Sequence, residues 1–172
     1  MFVPLAFIFF ISSKLDSMSA AKAQMLFGAS AGVIGLSSAW IFQVYAGGSI
    51  ARIFFITASL FGAMSLYGYT TKRNLFSMRS FLIMGLAGVI IAFVVNFILQ
   101  SPALHFAVSV IAVLVFTGLT AFQTQQIKEL YDEGASSESM SKLAVMGALS
   151  LYLSSINLFM LLLQFFGMQQ QD

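Results

Sequence analysis

The sequence predicts an all-α polytopic membrane protein, and three observations carry that prediction. Hydrophobic residues make up 59% of the 172 and charged residues only 8%, where a soluble domain carries about 25%. The mean hydropathy is +0.94, and the apolar residues fall in long runs separated by short polar stretches. The basic residues gather in alternate stretches between those runs. A net charge of +2 is too small to suggest a nucleic-acid partner. Cysteine is absent, which excludes disulfides and thiolate metal sites. The bilayer itself is the first partner implied.

Six hydrophobic segments follow in order, at approximately 1–13, 24–45, 50–69, 81–99, 106–126 and 143–167, in a single transmembrane domain 1–172. The first is apolar from its second residue and shorter than the roughly 20 residues of a full crossing. It has neither the basic start nor the small-residue cleavage site of a signal peptide, and it reads as an incomplete helix, as though a longer chain had lost its start.

The second segment contains Gly28-x-x-x-Gly32, a spacing that permits close helix approach but is frequent in apolar runs. Trp40 and Tyr45 near its far end suit a membrane interface. Gly47-Gly48 predicts a tight turn. Arg52 opens the third segment, where its charge can reach the interface. The fourth runs from Phe81 to Leu99, and a short uncharged turn, Gln100 to His105, leads into the fifth. His105 has no histidine, cysteine or carboxylate beside it, which favours an interfacial role over metal binding. Four acids lie between Ile127 and Lys142, but their spacing matches no EF-hand and reads as a solvated loop.

Charge orients the chain. Seven of the eight Lys and Arg lie in Lys14–Lys22, Thr70–Arg79 and Ile127–Lys142, which alternate with nearly uncharged turns. With one crossing per segment these three loops share one side, and the positive-inside rule makes that side cytoplasmic. Both chain ends then lie outside.

The last segment, Leu143 to Gly167, is about 25 residues without a charge. Gly147, Ser150, Ser154, Asn157 and Gln164 fall along one helical stripe of it, while Leu, Met, Phe and Ile cover the rest. A helix surrounded by lipid has no use for such a stripe, because unpaired polar groups in hydrocarbon are costly. The seam predicts a central helix that faces either other helices, as packing contacts, or a hydrated path. There is no nucleotide loop, no metal-ligand cluster and no carboxylate within any span, which argues against an enzyme.

Three ordered motifs add to this. They are Phe61-Gly-Ala-Met-Ser-Leu-Tyr-Gly-Tyr-Thr-Thr-Lys-Arg73, Phe116-Thr-Gly-Leu-Thr-Ala-Phe-Gln-Thr-Gln125 and Gly147-Ala-Leu-Ser-Leu-Tyr-Leu-Ser-Ser-Ile-Asn-Leu-Phe159. They closely resemble the Bax inhibitor family, the transmembrane Bax-inhibitor-motif proteins and their bacterial members. The resemblance implies a seven-helix bundle with the last helix central, of which this sequence carries six hydrophobic segments and lacks the first helix. It also implies a bacterial inner-membrane location.

Bacterial members of that family resemble pH-sensitive calcium leak channels, in which one aspartate on the penultimate helix and one on the last share a proton. Motif by motif those positions are Gln123 and Ser154 here, and an aspartate common after the Lys-Arg pair is replaced by Asn74. An amide and a hydroxyl cannot titrate near neutral pH as a carboxylate pair can. Calcium, the permeant ion that the resemblance implies, would meet only neutral oxygens and at best a weak site; no bound metal or other cofactor is expected.

Three readings follow. The first is a conducting scaffold with altered or lost pH gating, its path lined by Gln123, Ser150, Ser154 and Asn157. The second is a regulatory protein whose cytoplasmic loops, with Lys72, Arg73 and Arg79, contact a membrane-bound protease, as the resemblance suggests for some bacterial members. The third is a non-functional remnant.

Overall fold

A computed structural model describes residues 19–130 and 137–168. Within them the chain is helical, in the order α1 (Ala20–Ser37), α2 (Ile41–Val44), α3 (Gly47–Thr70), α4 (Arg79–Leu99), α5 (Pro102–Glu129) and α6 (Ser137–Phe166). A short 3-10 turn, Leu75–Met78, precedes α4. Five stretches are long and apolar enough to cross a membrane, one of them formed by α1 with α2. The segment 1–13 lies outside the described residues.

Several expected boundaries shift, all because hydropathy marks the apolar core of a helix and not its ends. The 24–45 segment begins earlier, at Ala20, and breaks after Ser37 before the single turn of α2. Gly47 and Gly48 do not form a turn. They start α3, and the chain reverses at Tyr45–Ala46, which are both extended. The 106–126 segment begins at Pro102, where the proline's missing N–H costs nothing at a first helical position. Ser101 caps it by accepting from the Leu104 N–H at 3.4 Å. The Ile127–Lys142 loop is narrower than expected, since α5 continues to Glu129 and α6 already begins at Ser137.

The turn between α4 and α5 is built from side chains. Gln100 adopts the left-handed conformation at φ 49°, and Asn96 turns its Oδ1 back to accept from the Ser101 N–H at 3.2 Å. Close to the other end of the bundle, Asn74 caps the 3-10 turn by accepting from the Phe76 N–H at 2.8 Å.

The last helix is central. Three apolar clusters hold the bundle, and α6 enters every one. Leu149 and Leu153 meet Ala23 and Ile34 of α1. Leu158, Leu162 and Leu163 meet Ile41, Tyr45, Ile50 and Ile53. Leu161 joins Leu82, Val89, Ala112, Leu119 and Phe122 of α4 and α5. Outward side chains are apolar as well: Phe97 is 84% exposed and Leu36 80%. Water would make such a surface costly, whereas lipid does not.

Helix ends fix the crossing pattern. The Met168 carbonyl accepts from the Ala46 N–H at 3.1 Å, and the Met168 N–H donates to Ser49 Oγ at 2.9 Å. The end of α6 is thereby tied to the α2–α3 turn, so this helix runs the full height of the bundle. Phe106 and Phe165, 5.3 Å apart, bring the start of α5 to the same end. Loop Thr71–Met78 lies against the opposite end, beside the last turns of α5.

A close helix approach of the kind the Gly28 and Gly32 spacing permits is found at Gly68. Among the described residues, a Cβ on Gly28 or Gly32 would meet nothing within 4 Å, but one on Gly68 would collide with the Ala121 carbonyl. Helices α3 and α5 cross there at backbone contact.

Candidate functional site

Helix α5 presents two different stripes. Ala121, Gln125 and Lys128, spaced by four and three, face α3 and its following loop. Ser109, Phe116 and Gln123, spaced by seven, form a second stripe nearly in line along the helix. The threonines between them are satisfied locally: Thr117, Thr120 and Thr124 each donate to the carbonyl four residues earlier, at 2.7, 2.9 and 2.9 Å. They fill space without offering a free hydroxyl hydrogen. That leaves Gln123 as the polar group of α5 that reaches α6.

It reaches Ser154. The Ser154 hydroxyl donates to Gln123 Oε1 at 2.9 Å, and Ser154 is almost fully buried at 3% exposure. Two cavities flank this pair. One, about 200 Å³, lies toward the end holding the basic loops and is lined by Gln123, Gln126, Met140, Gly147 and Ser150, among others. The second, about 280 Å³, lies toward the far end between α4, α5 and α6, where Asn96, His105, Phe116 and Asn157 meet apolar neighbours. On α5 the two cavities are served by Phe116 and Gln123. On α6 they are served by Asn157 and Ser150, again seven residues apart. Both therefore follow one seam, with the Gln123–Ser154 bond between them.

Of the expected site residues, Gln123 and Ser154 are in direct contact, Ser150 opens onto the inner cavity, and Asn157 onto the outer one. The Asn157 amide also donates to the Leu153 carbonyl at 2.8 Å. Gln164, at the end of α6, is exposed and lines neither cavity. Lys72, Arg73 and Arg79 are exposed and lie in or beside the loop between α3 and α4, apart from the seam.

The structure adds residues that sequence reasoning passed over. Gln126 joins the inner cavity and Asn96 the outer. Ser109 is 1% exposed, and its hydroxyl has no hydrogen-bond partner among the described residues. His105, expected at an interface, sets its ring edge-on to Phe93 at 6.0 Å and lines the outer cavity. Gln125 grips the loop after α3 with both ends of its amide. Its only sequence signal was the Gln-Thr-Gln spacing, which puts Gln123 and Gln125 on different faces of one helix.

Chemically the seam is neutral. Among the described residues, neither cavity is lined by Asp, Glu, Lys or Arg. The groups available are amide and hydroxyl oxygens, which can partly replace water around a passing cation but lack the carboxylates that bind calcium firmly. One hydrogen bond within a membrane protein contributes about 0.6 kcal/mol on average, which shifts an equilibrium only about threefold.

Comparison with known proteins agrees with this architecture. The family described as "Inhibitor of apoptosis-promoting Bax1" matches residues 1–171. A protein of Rickettsia prowazekii is 48% identical over 167 residues, covering 97% of this chain and 71% of that one. The Escherichia coli inner membrane protein YbhL is 45% identical over 165 residues, covering 95% of this chain and 70% of YbhL. A membrane protein of Streptococcus pyogenes is 35% identical over 158 residues, covering 92% of this chain and 69% of its own length. With its central, polar-seamed last helix and its match along nearly all of its length, this chain is an integral inner-membrane protein of the Bax inhibitor family.

Proposed function

We propose that the seam between α5 and α6 is a cation leak path closed by the neutral Gln123–Ser154 pair, and that this pair does not respond to pH. One observation supports the reading: Ser154, bonded to Gln123 at 2.9 Å, lies on α6 between Ser150 of one cavity and Asn157 of the other. Ser150 and Gln123 are the inner lining, and Asn157 with Asn96 the outer. Calcium is the proposed permeant ion, held nowhere tightly because all the oxygens are uncharged.

The absence of a titrating group at the pair has a direct consequence. A carboxylate pair couples closure to proton uptake, whereas an amide and a hydroxyl open by thermal fluctuation against a weak bond. Flux should therefore be low, steady and nearly independent of pH.

Calcium efflux from proteoliposomes holding the purified, folded chain tests this at pH 6 and pH 8. A protein-dependent leak of similar size at both values is the expected result. A sharp pH switch would transfer the gating role to another group, with His105 the candidate in the outer cavity. No leak at either pH would overturn conduction and favour a regulatory role for the basic loops, with a membrane-bound protease as the partner to try.

A further inference from the structure

The loop joining α3 to α4 carries Lys72 and Arg73, and Arg79 opens the next helix. All three are exposed. From Thr70 to Ser80 there is no acidic residue, and the ion pair present among the described residues, Lys142–Glu138 at 3.5 Å, lies on α6. A fourth nearby cation is already engaged: Lys128 Nζ donates to the Tyr69 carbonyl at 2.7 Å and sits 4.7 Å from the Tyr69 ring centroid. Membrane-spanning helices on both sides hold the loop at the level of lipid headgroups, on the side that the basic residues make cytoplasmic.

The loop is also fastened to α5. Gln125, 4% exposed, accepts from the Leu75 N–H at 2.7 Å and donates to the Arg73 carbonyl at 2.8 Å. One amide thus holds the backbone on both sides of Asn74. Leu75 is buried in the cluster with Leu119 and Phe122, and the Phe76 ring meets Phe122 edge-on at 5.4 Å. A displacement of the loop must therefore move the α5 segment that carries Gln123, two residues from Gln125.

We propose that Lys72, Arg73 and Arg79 form a binding site for the phosphate headgroups of anionic lipids in the cytoplasmic leaflet, and that Gln125 passes the site's occupancy to α5 and the inner cavity. Charge complementarity selects the occupant: three cations at headgroup height with no acidic partner among the described residues, two of them guanidinium forks suited to phosphate. Each basic residue near an anionic surface contributes roughly a fivefold preference, so three predict about a hundredfold at low salt. The binding step is independent of conduction; its consequence for flux rests on the leak path proposed above.

Retention of lipid by the purified full chain tests the binding step, with phosphatidylglycerol and phosphatidylcholine in competition and native mass spectrometry as the readout. The wild-type chain should retain phosphatidylglycerol preferentially. Lys72→Gln with Arg73→Gln and Arg79→Gln should abolish the preference, and the charge-keeping K72R, R73K and R79K triple should restore most of it. Equal retention of both lipids, or a neutralised triple that still prefers phosphatidylglycerol, overturns the site. Equal competition by soluble glycerol phosphate would mean a site for free phosphate and overturn the lipid assignment. An acidic protein captured at the loop with no lipid preference would do the same.

The coupling step is read without ion flux, because the chain has no cysteine. Gln126→Cys places a single thiol in the inner cavity, and its maleimide labelling rate can be compared in vesicles with and without phosphatidylglycerol. A severalfold difference is expected, and it should vanish in Gln125→Met while lipid retention persists. Identical rates with Gln125 intact, or a difference that survives Gln125→Met, overturns the coupling and leaves the binding result standing.

Discussion

Gly68 lies so close to the Ala121 carbonyl that only a hydrogen fits between the two helix backbones. This contact sets the distance between α3 and α5, and α5 carries both Gln123 and Gln125 on its next turn. A sharp sign contrast follows. Alanine normally favours a helix over glycine by about 1 kcal/mol, so Gly28→Ala, with no described residue within 4 Å of an added Cβ, should leave the unfolding midpoint in detergent unchanged or raised. Gly68→Ala should lower it, by an amount corresponding to about 1–3 kcal/mol or more of overpacking. Equal behaviour of the two variants would show that the crossing is not at backbone contact.

Removing the bond at the seam should affect flux more than folding. Ser154→Ala deletes the donor to Gln123 Oε1, a bond worth about 0.6 kcal/mol on average in membrane proteins. The leak should rise about threefold while thermal stability changes little. A leak unchanged by this variant would remove the pair from the path.

Gln123→Asp combined with Ser154→Asp should install pH dependence. Two carboxylates within hydrogen-bond distance share a proton most tightly between their two apparent pKa values, one of which is raised by the like charge. Closure is strongest in that window. Above it the two negative charges repel, so the stabilisation of the closed state is lost as pH rises through the raised value. Below it the second proton removes the charge from the bond. Calcium flux should therefore pass through a minimum with pH, and a flat profile in folded protein would count against closure at this pair.

Cysteine accessibility should map the cavities from each side. With no native thiol to interfere, Ser150→Cys should react with a membrane-impermeant maleimide applied from the cytoplasmic face, since Ser150 opens onto the inner cavity. Asn157→Cys should react more slowly from that face, because the Gln123–Ser154 contact lies between it and the reagent. Equal rates would mean the two cavities are continuous.

Much of the architecture was legible in the residues themselves. Runs such as Phe81–Leu99 are too long and apolar to be anything but spans, and the alternation of basic loops predicts their direction. The spacing of Gly147, Ser150, Ser154, Asn157 and Gln164 pointed to a central, seamed last helix, although Gln164 itself is exposed, and three motifs brought out the family resemblance with Gln123 and Ser154 at its paired positions. These are local signals, because periodicity and composition act within one helix.

How one helix surface meets another is fixed by the packed bundle. That Ser154 bonds to Gln123, that Phe116 and Asn157 serve one cavity while Gln126 and Ser150 serve another, and that Gln125 turns the other way to hold Arg73 and Leu75, all depend on relative helix rotation. A sequence gives each helix its stripes. It does not state which stripes face each other, since that is set by packing many side chains at once, as at Gly68 against Ala121.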